Sequence, residues 1–208
     1  MLSSWVAFPV HSIAEMIYEV ELHRTLIARP VRSSDGKLLV SGRYLLTQVL
    51  EILSQEKASN EHGVFLAVNS LKNIDKGQVL DESGCTSFTV TVQCRSFKPE
   101  VGDVLQGFVH YIFQEGVFLQ TGPVRYGFLP FMKMPGYLYF PAAEQDPFFL
   151  QGETNKKIKM GSVVQFVVLG VSWIEETAHV VREFALVAGI DREGLGPVYL
   201  PGTAEINQ

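Results

Sequence analysis

The side chains able to do chemistry are few and dispersed. His11, His23, His62, His110 and His179 fall at no spacing that would close on a metal ion. The chain holds no Gly-x-Ser-x-Gly elbow, phosphate-binding loop or His-Glu-x-x-His pair. Glu175 and Glu176 are adjacent carboxylates, but the flanking strand patterns place them at a hairpin tip, where wet carboxylates are the ordinary finding. Cys85 and Cys94, the only cysteines, have the spacing of neither a zinc site nor a redox pair, and read as reduced thiols of an intracellular protein. Lys156, Lys157 and Lys159 could hold phosphate or simply form a solvated charged surface. The expectation is therefore no catalytic residue, no metal and no cofactor.

Any functional surface must instead be positioned by strands, and the stretch 86–113 organises them. Phe88, Val90, Val92 and Cys94 alternate with Thr89, Thr91, Gln93 and Arg95, the period of a strand with one buried and one wet face. After Lys98-Pro99-Glu100-Val101-Gly102, the run Val104, Leu105, Phe108, Val109, Tyr111, Ile112 is more continuously apolar, as in a strand enclosed by a small barrel. Pro99 cannot donate to a ladder and Gly102 is free to turn, so the join reads as a boundary between two domains. A length of 208 residues accommodates two domains of common size, and 47% apolar against 19% charged residues gives both a core. A net charge of -5 excludes a general nucleic-acid binder, because that mode needs many Lys and Arg to neutralise phosphates. Any contact with RNA or DNA has to be local.

The apolar patch Trp5-Val6-Ala7-Phe8 has no basic residue ahead of it and is interrupted by Pro9 and His11, so it reads as neither signal peptide nor membrane span. Residues 1–14 are an arm, either loose or docked on a partner through Trp5 and Phe8. Met16, Tyr18, Val20 and Leu22 alternate with Ile17, Glu19, Glu21 and His23 as a strand, and a polar loop follows over 29–37. Ser41 is placed to cap a helix whose buried stripe is Leu46, Val49, Leu50 and Leu53, with Asn60 and Gly63 stopping it. Residues 64–68 read as a short buried strand and 71–84 as a loop rich in Gly and Asp. Over 15–98 this makes an α+β layer, one helix on an antiparallel sheet. From 99 to 188 nearly all is strand: 116–120, the turn Thr121-Gly122-Pro123, 125–130, then a hairpin of 163–173 and 177–187 turning at Glu175-Glu176. Residues 133–158, with Pro135, Gly136, Pro141, Pro147 and Gly152, read as an excursion over the surface. Five strands at this spacing fit an all-β oligonucleotide-binding barrel. Residues 189–208 form an extended tail.

Residues 69–109, NSLKNIDKGQVLDESGCTSFTVTVQCRSFKPEVGDVLQGFV, resemble the core of subunit seven of the eukaryotic nuclear RNA polymerases, itself similar to its archaeal polymerase counterpart. The matching features are the apolar-Lys-Gly turn around Asp75-Lys76-Gly77, the Asp/Gly loop ahead of the strand, and 95–103, which is similar to that family's Phe-x-Pro-x-x-Gly-Glu join. The likeness runs from Tyr18 to Val187. It implies a truncated ribonucleoprotein-like tip domain followed by an S1-type barrel, without an active site of its own. It further implies a nuclear stalk subunit that docks on the polymerase core and its largest subunits through Asp75, Lys76 and Gly77, pairs with a subunit-four-like partner, and engages no membrane. The extension before Met16 and the 133–158 excursion depart from the polymerase II form. They imply a diverged paralogue, of the kind serving plant polymerases four or five, where nascent RNA feeds silencing.

The same resemblance names RNA-facing residues. An S1 domain stacks single-stranded bases on exposed aromatics and holds the backbone with basic side chains. Gly116-Val117-Phe118 resembles the pattern in which the aromatic after Gly-x faces the ligand. Phe118 is thus the first candidate RNA contact, with packing as its other reading, and Arg125, Tyr126 and Lys133 are its companions. The family's aromatic before that glycine is Glu115 here, and its histidine after the third strand is Pro130, so the expected contact with nascent RNA is weak. A free-standing S1-type single-stranded RNA-binding protein is the alternative. The loop at Lys76-Gly77 separates the two readings, because it has a task only in a polymerase.

Overall fold

The computed structural model describes residues 16–29, 31–32, 34–35, 38–80, 84–141, 146–176 and 181–198. The arm over 1–14 with Trp5, Phe8 and His11, and also His179, lies outside them. After Lys98 the chain divides into two compact units.

The first unit contains β1 (Ile17–Ala28), a small hairpin of β2 (Val31–Arg32) and β3 (Leu38–Leu39), α1 (Gly42–Glu56), β4 (Ala58–Ser59), β5 (Gly63–Ile74), β6 (Gln78–Val79) and β7 (Thr86–Phe97). β7 is central in an antiparallel sheet ordered β1-β7-β5-β4, and β6 pairs with β7 as well. β1 accompanies β7 along its whole length, from Ile17 opposite Phe97 to Ala28 opposite Thr86. The alternation of β7 is realised as a buried row of Val90, Val92 and Cys94, which meets Leu22 and Leu26 of β1 beneath the helix.

α1 buries Leu45, Val49 and Leu53, and Leu50, expected in the stripe, is 47% exposed. The doublets Leu45-Leu46 and Val49-Leu50 satisfy the helical period with either member, so the pattern alone leaves the face one residue ambiguous. Ser41 does occupy the N-cap, but makes no side-chain cap bond. Asn60 and Gly63 are not the stop. The helix ends at Lys57, which takes φ +56 and donates its backbone N–H to Leu53 O at 2.8 Å.

β5 differs most from expectation. Read as a strand over 64–68 and a loop from Leu71, it is one strand of 12 residues reaching Ile74. Three register shifts, at Phe65/Ala67, Val68/Ser70 and Leu71/Asn73, each set an extra residue against β7. The side chains packed on the core, Phe65, Val68 and Leu71, therefore recur every third residue, a spacing that hides a strand from a period-two reading. Within the expected 71–84 loop, only 75–77 and the residues after β6 lie off the strands, and 81–83 are outside the described residues.

The second unit contains β8 (Val104–Phe113), β9 (Gly116–Thr121), β10 (Val124–Pro130), a 3-10 turn (Phe131–Lys133), β11 (Tyr137–Phe140), β12 (Phe148–Gln151), β13 (Lys157–Ile158), β14 (Val163–Glu176), β15 (Val181–Gly189) and β16 (Gly196–Val198). β8, β9, β10, β15 and β14 pair in a ring that closes on β8. Every pair in the ring is antiparallel except β10 with β15, where Tyr126 to Phe128 run parallel to Ala185 to Val187. This is the five-stranded oligonucleotide-binding barrel. Val109, Val117, Leu119, Leu129, Val164 and Phe166 fill its interior with no exposed surface. Gly107 lets β8 pass close to them, since a Cβ there would stand 2.9 Å from Phe166 Cε1. β16 pairs with β14 beyond the end of β15.

Two expectations are corrected in this unit. Residues 133–158 are not a bare excursion, because β11, β12 and β13 form an antiparallel sheet of their own with Tyr137, Phe149 and Ile158 buried. Strands of four, four and two residues are too short for alternation to register, and Pro141 and Pro147 stand just outside the strand ends. Nor is Glu175-Glu176 a turn tip. β14 continues through Glu176, and Glu175 stands opposite Arg182, whose Nε donates to Glu175 Oε1 at 3.0 Å. Residues 177–180 lie outside the described residues.

Candidate nucleic-acid interface

An aromatic row crosses the outside of the barrel. In register, Tyr111 of β8 stands opposite Phe118 of β9, Phe118 opposite Phe128 of β10, and Phe128 beside Val187 of β15. Strand alternation alone would turn Tyr111 inward with Leu105, Gly107 and Val109. A register shift between Val109 and Tyr111 reverses the alternation, so that Ile112 is buried and Tyr111 is 60% exposed. Phe113 follows Tyr111 outward, and its ring lies 5.4 Å from Phe118 and 5.9 Å from Phe128, stacked on the latter with planes 6° apart. Phe118 is half-buried among these rings, 5.4 Å from Phe128 and 6.3 Å from the His110 ring.

Arg125 and Tyr126 lie in a second bulge, between Val124 and Gly127, which leaves both exposed on consecutive positions. Tyr126 joins Phe118 and Phe128 along an apolar depression of about 280 Å³, whose far wall is the β14–β15 ladder at Gly170 and Val187. That is at or below the small end of ligand pockets, roughly 300–1,000 Å³, and suits one planar ring rather than a large cofactor. The structure thus brings Phe118 and Tyr126 together, with Arg125 next along the same strand. Lys133 is not in this group. It sits in the 3-10 turn with Nζ 3.4 Å from Asp191 Oδ2, while its carbonyl accepts the N–H of Ile190, so a phosphate there would compete with a carboxylate. Tyr111, Phe113 and Phe128 were missed in the sequence. Phe128 was findable by alternation with buried Gly127 and Leu129, whereas the bulge at His110 concealed the other two.

In the first unit, Asp75, Lys76 and Gly77 are exposed between β5 and β6. Asp75 N–H donates to Thr89 O at 2.9 Å, and Asn73 Nδ2 donates to Asp75 Oδ1 at 2.9 Å. Gly77 is not in a left-handed conformation. It is required by close approach, since a Cβ would meet Thr86 Cγ2 at 2.5 Å and Phe88 Cε1 at 2.6 Å. Ile74, Val79 and Leu80 flank the segment, Val79 with 68% exposure. The sheet face opposite α1 offers no aromatic platform among the described residues. It carries Glu19, Glu21, His23, Thr91 and Gln93, with Glu19 accepting from Gln93 Nε2 at 2.6 Å and from Asn69 Nδ2 at 3.3 Å.

Neither Cys85 nor Cys94 is in a disulfide. Burial pushes the Cys94 thiol above its ordinary value of 9.0, an effect partly offset by the positive charge of Arg24. Arg24 lies on the core side of β1 and bonds Glu56 Oε2 through Nη2 at 2.7 Å. Among the described residues, no group of three or more His, Cys, Asp or Glu is placed to hold a metal ion, and no helix is long and apolar enough to cross a membrane.

No family model matches the chain. Individual relatives do. Subunit 7 of DNA-directed RNA polymerase V from Arabidopsis thaliana is 33% identical over 169 residues, covering 81% of this chain and 91% of that one. Subunit 7 of DNA-directed RNA polymerase IV from the same plant is 34% identical over 168 residues, covering 81% and 92%. The polymerase II subunit RPB7 of Glycine max is 30% identical over 112 residues, covering 54% and 62%. A third of the residues, matched over nine-tenths of the first two relatives and carried on an α+β layer followed by a closed barrel, place this chain in the family of subunit 7 of the DNA-directed RNA polymerases.

Proposed function

We propose that the chain is a stalk subunit that touches emerging RNA. Members of its family are accessory, non-catalytic polymerase subunits, and the chain works as part of a polymerase complex. In the proposal, the segment Asp75-Lys76-Gly77 with Ile74, Val79 and Leu80 docks on the core, a subunit-four-like partner pairs with the chain, and the barrel meets nascent single-stranded RNA in the nucleus. The observation that carries the RNA contact is the row Tyr111, Phe118, Phe128 with Tyr126 at its depression, open ring surface of the kind on which bases stack regardless of sequence. Arg125 supplies one local cation, and the net charge of -5 keeps the grip weak. The longer matches to the polymerase IV and V subunits than to the polymerase II subunit support a paralogue of the IV/V kind.

Two measurements test this reading. Affinity purification through the tagged chain should recover the largest subunit of one polymerase, identified by mass spectrometry. Transcription by that complex with a photoreactive uridine in the RNA should crosslink peptides containing Phe118 or Tyr126. Recovery of the chain alone would favour the free-standing RNA-binding protein. Crosslinks confined to other surfaces would remove the barrel face from the RNA path.

A further inference from the structure

His110 is the extra residue of the β8 bulge. Val109 stands opposite Leu119 and Tyr111 opposite Phe118, so His110 between them has no counterpart on β9. A bulge re-aims the side chain it carries, and this one sets the imidazole alongside Phe118, ring centroids 6.3 Å and planes 24° apart. The His110 ring is half-buried, and its Nδ1 is enclosed with no hydrogen-bond partner among the described residues. Nε2 is not enclosed, and no side chain or carbonyl of the described residues takes its hydrogen bond either.

Packing does not account for a histidine at this place. An enclosed nitrogen without a partner costs stability, and an apolar ring beside Phe118 would avoid that cost. With no acceptor in reach of Nδ1, the ring N–H belongs at Nε2, which makes the open edge of His110 a donor at the border of the aromatic row. On the other side of β9, Arg125 stands exposed in the β10 bulge, so the two polar groups flank Phe118 from its two neighbouring strands. A single strand that stacks its bases on rings is held along its backbone by polar side chains beside them, and the strongest acceptor that backbone offers is a charged phosphate oxygen. We infer that His110 is a backbone anchor for single-stranded RNA: its Nε2–H donates to a phosphate oxygen of the strand whose bases lie on Phe118 and Tyr111. This rests on the RNA reading of the barrel, and adds to it the group that holds the backbone on the β8 side, as Arg125 does on β10.

The test measures binding of a fluorescein-labelled uridine oligomer to the full chain by anisotropy, with a thermal melt of each protein alongside. His110→Phe keeps a ring beside Phe118 and removes both nitrogens. Affinity should fall about tenfold, while the melting temperature holds or rises because the unpartnered Nδ1 is gone. On an oligomer with uncharged methylphosphonate linkages, the wild type and His110→Phe should bind alike. In the wild type, the nitrogen resonance of His110 Nε2 should shift when the uridine oligomer is added, a readout that needs no variant to fold and that a packing role would not move. If Tyr126→Ala weakens binding and His110→Phe does not, the base reading stands and the anchor is overturned. The anchor is overturned equally by the same loss on both oligomers, by an Nε2 resonance that stays in place, or by a fall in melting temperature that makes the imidazole structural. An oligomer that the wild type does not hold, or that neither variant weakens, overturns both readings.

Discussion

At the scale of residues, contact and packing are not alternatives for Phe118. Half-buried between Phe113 and Phe128, it supports its neighbours and offers the remainder of its ring outward. Phe118→Ala should therefore lower both the melting temperature and RNA affinity, and is a poor probe of either alone. Tyr126 is the cleaner one, being 47% exposed in a bulge. Tyr126→Ala should weaken single-stranded RNA binding by about 1–3 kcal/mol with melting unchanged, measured by fluorescence anisotropy beside a thermal scan. If RNA affinity survives Tyr126→Ala, the depression holds no base. Cys94 gives a pH signature. Its thiol titrates higher folded than unfolded, so the folded state keeps a proton that the unfolded chain releases above 9.0. The resulting stability is intact below that pH and lost as pH rises toward the folded value. Cys94→Val should flatten this alkaline limb in urea titrations; an identical limb in the variant would assign it to other groups.

At the scale of elements, the helix register is directly testable. Leu45→Ala, at 1% exposure, should destabilise by about 2–5 kcal/mol, while Leu50→Ala should stay within about 0.5 kcal/mol by chemical denaturation. Equal losses would mean that both stripes are buried. Between β5 and β6, Gly77→Val has to displace Thr86 and Phe88, whereas Lys76→Glu changes charge on an exposed site without touching the fold. Lys76→Glu should weaken recovery of the polymerase core in pull-downs with the melting curve unmoved, and full recovery would free this segment from docking. β1 and β7 were legible because long alternation survives in them, and β8 because its run is more continuously apolar. β5 was not, because three bulges stretch its period to three, nor were β11 to β13, whose strands end before a period is established. The same physics divided the interface. Phe118 follows a glycine within an undisturbed strand, while Tyr111 and Phe113 depend on one extra residue at His110 that has no local signature.

At the scale of the whole molecule, two units expose apolar side chains at separate places. Ile74, Val79 and Leu80 lie in the first, and Leu138 and Phe140 in the second. A chain of this kind should be more soluble with its partners than alone. Co-expression with a subunit-four-like protein should raise soluble yield and give a one-to-one complex by gel filtration with light scattering; a monodisperse lone chain indifferent to that protein would argue for independence. The closure of the barrel carries a consequence in time. Ring closure depends on two long-range ladders, the antiparallel one with Val104 opposite Val167 and the parallel one with Tyr126 opposite Ala185, partners about 60 residues apart in the chain. The β8–β9–β10 meander and the β14–β15 hairpin pair near neighbours, whereas joining one to the other through β8–β14 and through the parallel ladder closes far longer loops. Tyr126, Phe128, Ala185 and Val187 belong both to the parallel ladder and to the depression that would receive a base. A half-formed barrel thus already carries the row Tyr111, Phe118 and Phe128 on its meander, but the depression beside it has its far wall only once the parallel ladder is paired.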